Sequence, residues 1–234
     1  MIAKVFGKQD INKAVGVDVA VSQMMAEAID LWDRLYANKP PWATETTIPL
    51  GLPAAVAGEL ARLVTLEMDA TITGSARAYW LSAQIAPFMD GLQAKVEQGA
   101  ALGGMAFKPY PSAGGLAIDC TPADRFFPTG FDGSGRVMGG VFVDRFTQGK
   151  RYYTRLETHS LGDDGLYTIR NQAYMSDNPD ALGHPVTLDA VQPWAALDEE
   201  VTLANIKRPL FGYFRVPLAN TVDRGSPLGV SVYA

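Results

Sequence analysis

A chain of 234 residues that is 47% hydrophobic has the apolar mass for a sizeable core, which excludes global disorder and fits one large domain or two small ones. Its 25 acidic side chains outnumber the 20 basic ones, giving a net charge of −5, whereas a tight nucleic-acid clamp concentrates Lys and Arg. A single cysteine, Cys120, excludes an internal disulfide; residues 1–21 lack a signal-peptide core, and no stretch reaches the roughly eighteen apolar residues of a membrane span.

Residues 1–16 show no clear period and read as a loose arm. From Val17 the apolar positions Val21, Met24, Met25, Ala28, Leu31, Trp32 and Leu35 recur at steps of three and four, which predicts a helix with Asp18 at its start. Pro40-Pro41 ends it near Asn38. Pro53 opens a second helix running to about Ile72, with Val56, Leu60, Leu63, Val64 and Met68 on one side and Glu67 within or beside that stripe, an edge acid reaching solvent or else a buried one paired with Arg or Lys. A third helical stretch starts after Gly74-Ser75, should break at Ala86 because of Pro87, and ends at Gly103-Gly104.

Beyond that point strands dominate. Residues 105–110 and 116–121 form a strand pair across Pro111-Ser112-Ala113-Gly114-Gly115, and residues 125–131 follow as a third strand. Residues 137–146, 151–161 and 167–176 form a three-stranded antiparallel meander. Alternation in the second strand puts Tyr153, Arg155, Glu157 and His159 on one face, and Gly162-Asp163-Asp164-Gly165 supplies a hairpin turn. A short helix at residues 189–196 and strands at 200–206 and 210–216 complete the pattern. Helices first and strands second predict an α+β fold: an arm at 1–16, a helical part at 17–104 and a mostly β part at 105–234, forming one unit.

Catalytic chemistry is sparse. The two histidines, His159 and His184, have no zinc-ligand spacing, and no Gly-x-Ser-x-Gly elbow supports a nucleophile. Asp132-Gly133-Ser134-Gly135 and the Gly162 turn are too short for calcium loops, and Gly99 to Gly104 lacks the Lys of a phosphate loop. No catalytic, cofactor-binding or metal-binding residue is assigned, and no cofactor is expected. An alternative from another class is a small α+β hydrolase using His159 with Asp163 or Glu157.

Several ordered stretches carry a family likeness. They are Glu97-Gln98-Gly99-Ala100-Ala101-Leu102-Gly103-Gly104 running into Met105-Ala106-Phe107-Lys108-Pro109-Tyr110; Ala123-Asp124-Arg125-Phe126-Phe127-Pro128-Thr129; Gly149-Lys150-Arg151-Tyr152-Tyr153-Thr154-Arg155-Leu156-Glu157; and Tyr213-Phe214-Arg215-Val216-Pro217-Leu218-Ala219-Asn220 with Ser226-Pro227-Leu228-Gly229-Val230-Ser231-Val232-Tyr233-Ala234. In order and spacing the chain, from about Leu31 onward, resembles the N-terminal half of portal proteins of tailed phages, the kind found in siphophages and prophages of Gram-positive bacteria.

The resemblance implies an α+β wing and a structural, non-enzymatic role. Its setting is the ring at one capsid vertex through which double-stranded DNA is packaged and ejected. The implied partners are other portal subunits, terminase, capsid and head–tail adaptor proteins, with DNA passing without tight binding and no membrane. The implied location is the virion, or the bacterial host cytoplasm during assembly. Family members continue past the segment resembling residues 226–234, so a fragment that is monomeric or weakly associated is expected. Trp194, Phe211, Tyr213 and Phe214 are the interface candidates, with ordinary core as the competing role for each. A generic head–tail adaptor domain is a further alternative.

Overall fold

The computed structural model describes residues 8–234, in an α+β arrangement of five helices and antiparallel sheets. Two compact units form. One takes the described residues up to Asp30, together with Asp124–Pro209 and Gly225–Pro227; the other takes Leu31–Ala123, Leu210–Arg224 and Leu228–Ala234. The described α-helices all precede Gly104 and the strands all follow Leu102, yet each packing unit draws on both stretches. Helices and strands distant in sequence share each core, because a helix buries its apolar face only against a second layer.

The first unit is built on the meander. Strands β3 (Phe126–Phe131), β4 (Val137–Gln148), β5 (Arg151–Leu161), β6 (Tyr167–Ser176) and β7 (His184–Val186) pair in that order, and β8 (Glu200–Leu203) pairs with another stretch of β6. The β4–β5–β6 register follows the predicted alternation, placing Asp144 opposite Arg155, Glu157 opposite Asn171 and His159 opposite Ile169. Gly165 takes φ 77° in the β5–β6 turn, a conformation costly for any residue with a Cβ. The short helix expected at 189–196 becomes two 3₁₀ turns, Leu188–Ala190 and Gln192–Trp194, with extended Val191 between them.

Part of the expected arm is ordered structure. Helix α1 (Lys8–Val15) buries Ile11 and Val15, and the carbonyl of Ala14 accepts from the Gln172 amide at 3.1 Å, fastening the helix to the sheet. Residues 1–7 lie outside the described residues. Residues 17–22 are not helical: Asn12 accepts from the Val19 amide and donates to Asp18, so Asp18 serves the end of α1. Helix α2 (Gln23–Tyr36) starts later than expected, with the Ser22 hydroxyl accepting from the Met25 amide.

The second unit has a three-stranded sheet in the order β2 (Gly115–Pro122), β1 (Gly104–Ser112), β9 (Gly212–Arg215). Helices α3 (Leu52–Thr65), α4 (Ala76–Asp90) and α5 (Leu92–Leu102) surround it, with α3 and β1 both packed on α5. The expected break at Ala86 falls instead at Gly91; Pro87 is accommodated within the last turn of α4. At Gly103, φ is 85° and a Cβ would collide with the backbone of Gly229, so the turn from α5 into β1 needs glycine on both counts.

Candidate functional site

The most unusual surface of the second unit is helix α3. Its period is the one the sequence predicts, but its orientation inverts the usual amphipathic rule. Ala57 and Ala61 are fully buried, and the small face they form with Gly58 lies against α5, where the Glu97 carboxylate stands within van der Waals reach of a Cβ built on Gly58. The large residues point outward. Leu52, Val56, Leu60 and Val64, one every four positions, form an exposed ridge, with Leu63 beside it 58% exposed. Leu50 before the helix and Leu66 after it extend the apolar strip. Burying alanines and exposing leucines is unfavourable for an isolated monomer, because the larger side chains gain most from leaving water.

Glu97 also anchors α2: the Tyr36 hydroxyl donates to its Oε1 at 2.7 Å. Burial, then that hydrogen bond and the charge of Glu97, push the Tyr36 pKa up to about 12. Beside α3, the exposed Glu59 carboxylate is held below the usual range by its hydrogen bond from Arg62 at 2.7 Å. On α4, Arg77, Tyr79 and Trp80 are exposed within one turn, just after the Ser75 cap.

The structure distributes the four sequence-derived interface candidates differently. Trp194 is 3% exposed in a cluster with Tyr153, Ala173, Leu188 and Val191, and its indole Nε1 donates to Asp144 at 3.0 Å. Its aromatic area is spent inside the first unit. Phe211 is also buried. Tyr213 pairs opposite Ala106 with its hydroxyl against Gly104, and burial pushes its pKa up. Phe214, opposite Met105, lies over Gly99 of α5 and keeps 39% of its surface exposed, so it alone of the four presents substantial aromatic area. The α3 ridge was visible in the sequence as a stripe, but nothing local marks a stripe as facing outward.

His159 belongs to a buried polar chain in the first unit. Its Nδ1 is 2.8 Å from the Tyr167 hydroxyl and its Nε2 is 2.6 Å from Glu157 Oε1, while Arg155 donates to the other carboxylate oxygen at 2.9 Å. Arg155 continues to Asn171 Oδ1 at 3.0 Å and approaches Asp144 at 3.5 Å. The imidazole is 2% exposed with both nitrogens engaged, so neither is open to a substrate. Of the carboxylates named for a hydrolase, Glu157 is present, whereas Asp163 sits exposed in the β5–β6 turn. Gly140, opposite His159, leaves room for the Phe126 ring that lies 4.7 Å from Phe142.

Among the described residues, no three His, Cys, Asp or Glu side chains gather as a metal site, and no helix is long and apolar enough to cross a membrane. No protein-family model matches the chain, and comparison with curated proteins finds no matching relative.

Proposed function

We propose that this chain is a wing-like part of a tailed-phage portal protein, a structural subunit of the ring at the capsid vertex through which DNA is packaged and ejected. The observation that carries this reading is the outward ridge of α3. A helix that hides alanines and displays leucines is shaped for a partner, as a subunit of an assembly requires.

The first and last of the portal-like stretches also converge within the second unit. Residues 97–110 form the end of α5 and most of β1; residues 213–215 pair on β1 within β9; and Gly229 to Val232 close the corner, with the Val216 amide donating to Gly103 at 3.0 Å and the Val232 amide to Ala100 at 3.1 Å. Stretches more than a hundred residues apart thus specify one local structure, which supports a resemblance between folded units. The acidic charge suits a ring that lets DNA slide without gripping its phosphates.

On this reading the partners are other portal subunits, terminase, capsid and head–tail adaptor proteins, and the site of action is the virion vertex after assembly in the bacterial cytoplasm. Immuno-electron microscopy tests it. Antibody to this chain should label one vertex of phage particles released from the host that carries its gene. Particles that lack the chain, or that label along the tail or over the whole shell, would refute the proposal.

A further inference from the structure

We propose that the outer edge of β8 is a docking strip for an extended peptide of another protein, one in which apolar residues alternate with Lys or Arg, added to the sheet as a further strand. This surface belongs to the first unit alone and needs nothing of the portal reading.

The open edge follows from the register. The Asn171 amide donates to the Glu199 carbonyl at 2.8 Å, and backbone groups alternate in direction along a strand, so Ile169 and Tyr167 also face β8. Their partners Val201 and Leu203 turn their amides and carbonyls to β6, whereas Glu200 and Thr202 turn theirs away. Among the described residues β8 pairs with β6 alone, and both Glu200 and Thr202 are exposed.

Other edges are blunted. On β7 the outward position is Pro185, opposite Tyr174, which has no amide to offer an incoming strand. The Val216 amide bonds to Gly103, so alternation makes Pro109 and Pro111 the outward positions of β1 beyond its pairing with β9. On β2 the Leu116 amide is taken by the Gln84 side chain at 3.0 Å. Strand β8 carries neither device.

Side chains on the open strand set the occupant's chemistry. Val201 and Leu203 share one face, and Leu203 keeps 37% of its surface exposed. Glu200 and Thr202 share the other. Asp198, Glu199 and Glu200 gather at the strand's start, and the Ile206 amide ties its far end to the turn that carries Asp163 and Asp164 through Gly165 at 3.0 Å. Against these five acids stand three bases: Arg170, already held by Glu200 at 2.7 Å, and Lys207 and Arg208 past the strand's end. In an added strand, the residues that exchange hydrogen bonds with Glu200 and Thr202 lie on the Glu200 face, and those between them lie on the Val201 face. A cationic side chain suits the first set and an apolar one the second. Main-chain bonds then supply affinity and the alternate side chains supply specificity.

Fluorescence anisotropy with the whole chain and a short labelled peptide alternating Lys and Val tests this. The peptide should bind with a Kd below about 1 mM, and the same peptide with Glu in place of Lys about tenfold more weakly or worse. Methylating the Lys backbone nitrogens, which face β8 in this register, should abolish binding. Methylating the Val nitrogens, which face water, should leave it. Thr202→Pro, shown to be folded by circular dichroism, removes one outward amide without touching the ladder to β6 and should weaken binding about tenfold or more. No binding by the wild type overturns the proposal. So does equal binding of the Lys and Glu peptides, an equal effect of the two methylations, or full binding by Thr202→Pro. Self-association of the chain that Thr202→Pro abolishes in sedimentation would make a second copy the occupant and overturn it as well. Vertex labelling decides the portal reading independently of each of these results.

Discussion

The Glu157 carboxylate and the His159 imidazole, two residues apart on the same face of β5, meet at 2.6 Å inside the sheet. Glu157 also takes Arg155 at 2.9 Å, so one buried carboxylate satisfies two neighbours that strand alternation places on either side of it. Removing it takes a buried charged partner from both, leaving Arg155 with Asn171 and Asp144 and His159 with Tyr167. Glu157→Leu should destabilise the chain by about 3–5 kcal/mol in urea unfolding. A loss under about 1 kcal/mol would show that the chain of bonds is not what holds this face of the meander.

The aromatic candidates should separate by burial. Trp194→Ala removes the largest member of the cluster with Tyr153 and Leu188 and leaves Asp144 without its indole donor, so a cost of about 3–5 kcal/mol is expected. Phe214→Ala, at a partly exposed ring on a sheet edge, should cost clearly less. Thermal unfolding of the two variants side by side checks the order, and a reversed order would contradict the placement of Trp194 in the core.

Helix α3 predicts an outcome that hydropathy alone would invert. Ala57→Leu adds a large side chain where the helix meets α5 and should cost about 1–3 kcal/mol. Leu60→Ser, on the outward ridge, should change the stability of the unassociated chain by no more than about 0.5 kcal/mol. Dilute-solution denaturation of both variants reads the helix's orientation directly.

Tyr36 gives a pH dependence with a defined sign. Its pKa rises from the ordinary value near 10 to about 12, so its neutral form is favoured in the folded chain. That contribution is fully present below about pH 10 and is lost as pH rises through about 12. Tyr36→Phe removes the titrating group, so the wild type should lose stability relative to this variant across that window. Tyr213, which is also pushed up by burial, titrates in both proteins and cancels in the comparison, whereas Tyr233, raised by burial and in part by the Tyr36 charge, loses that last contribution in the variant. Parallel pH curves for the two proteins would show that the Tyr36–Glu97 bond does not form in solution.

Period and turn chemistry made much of the fold legible beforehand. The meander, the β1–β2 hairpin and helices α2 and α3 appear where alternation, three- and four-residue spacing, and Gly, Pro and Asp-Gly punctuation place them, because these signals act over a few residues and depend on backbone geometry. Boundaries shifted at both helices: Asp18 went to Asn12 and Ser22 capped α2 in its place, and α3, expected to run to about Ile72, ends at Thr65.

The tertiary structure decided which way each face points. The stripe Val56, Leu60, Val64 has the same period whether it faces a core or water, and only the packing of Ala57 and Ala61 against α5 turned it outward. It also decided that His159 is a satisfied interior group, since a histidine's role depends on what lies across the strands, and Tyr167 comes within reach of its ring only once β5 and β6 pair. Local spacing sets the angle between side chains on one element; burial belongs to pairs of elements, and those pairs exist only in the folded chain.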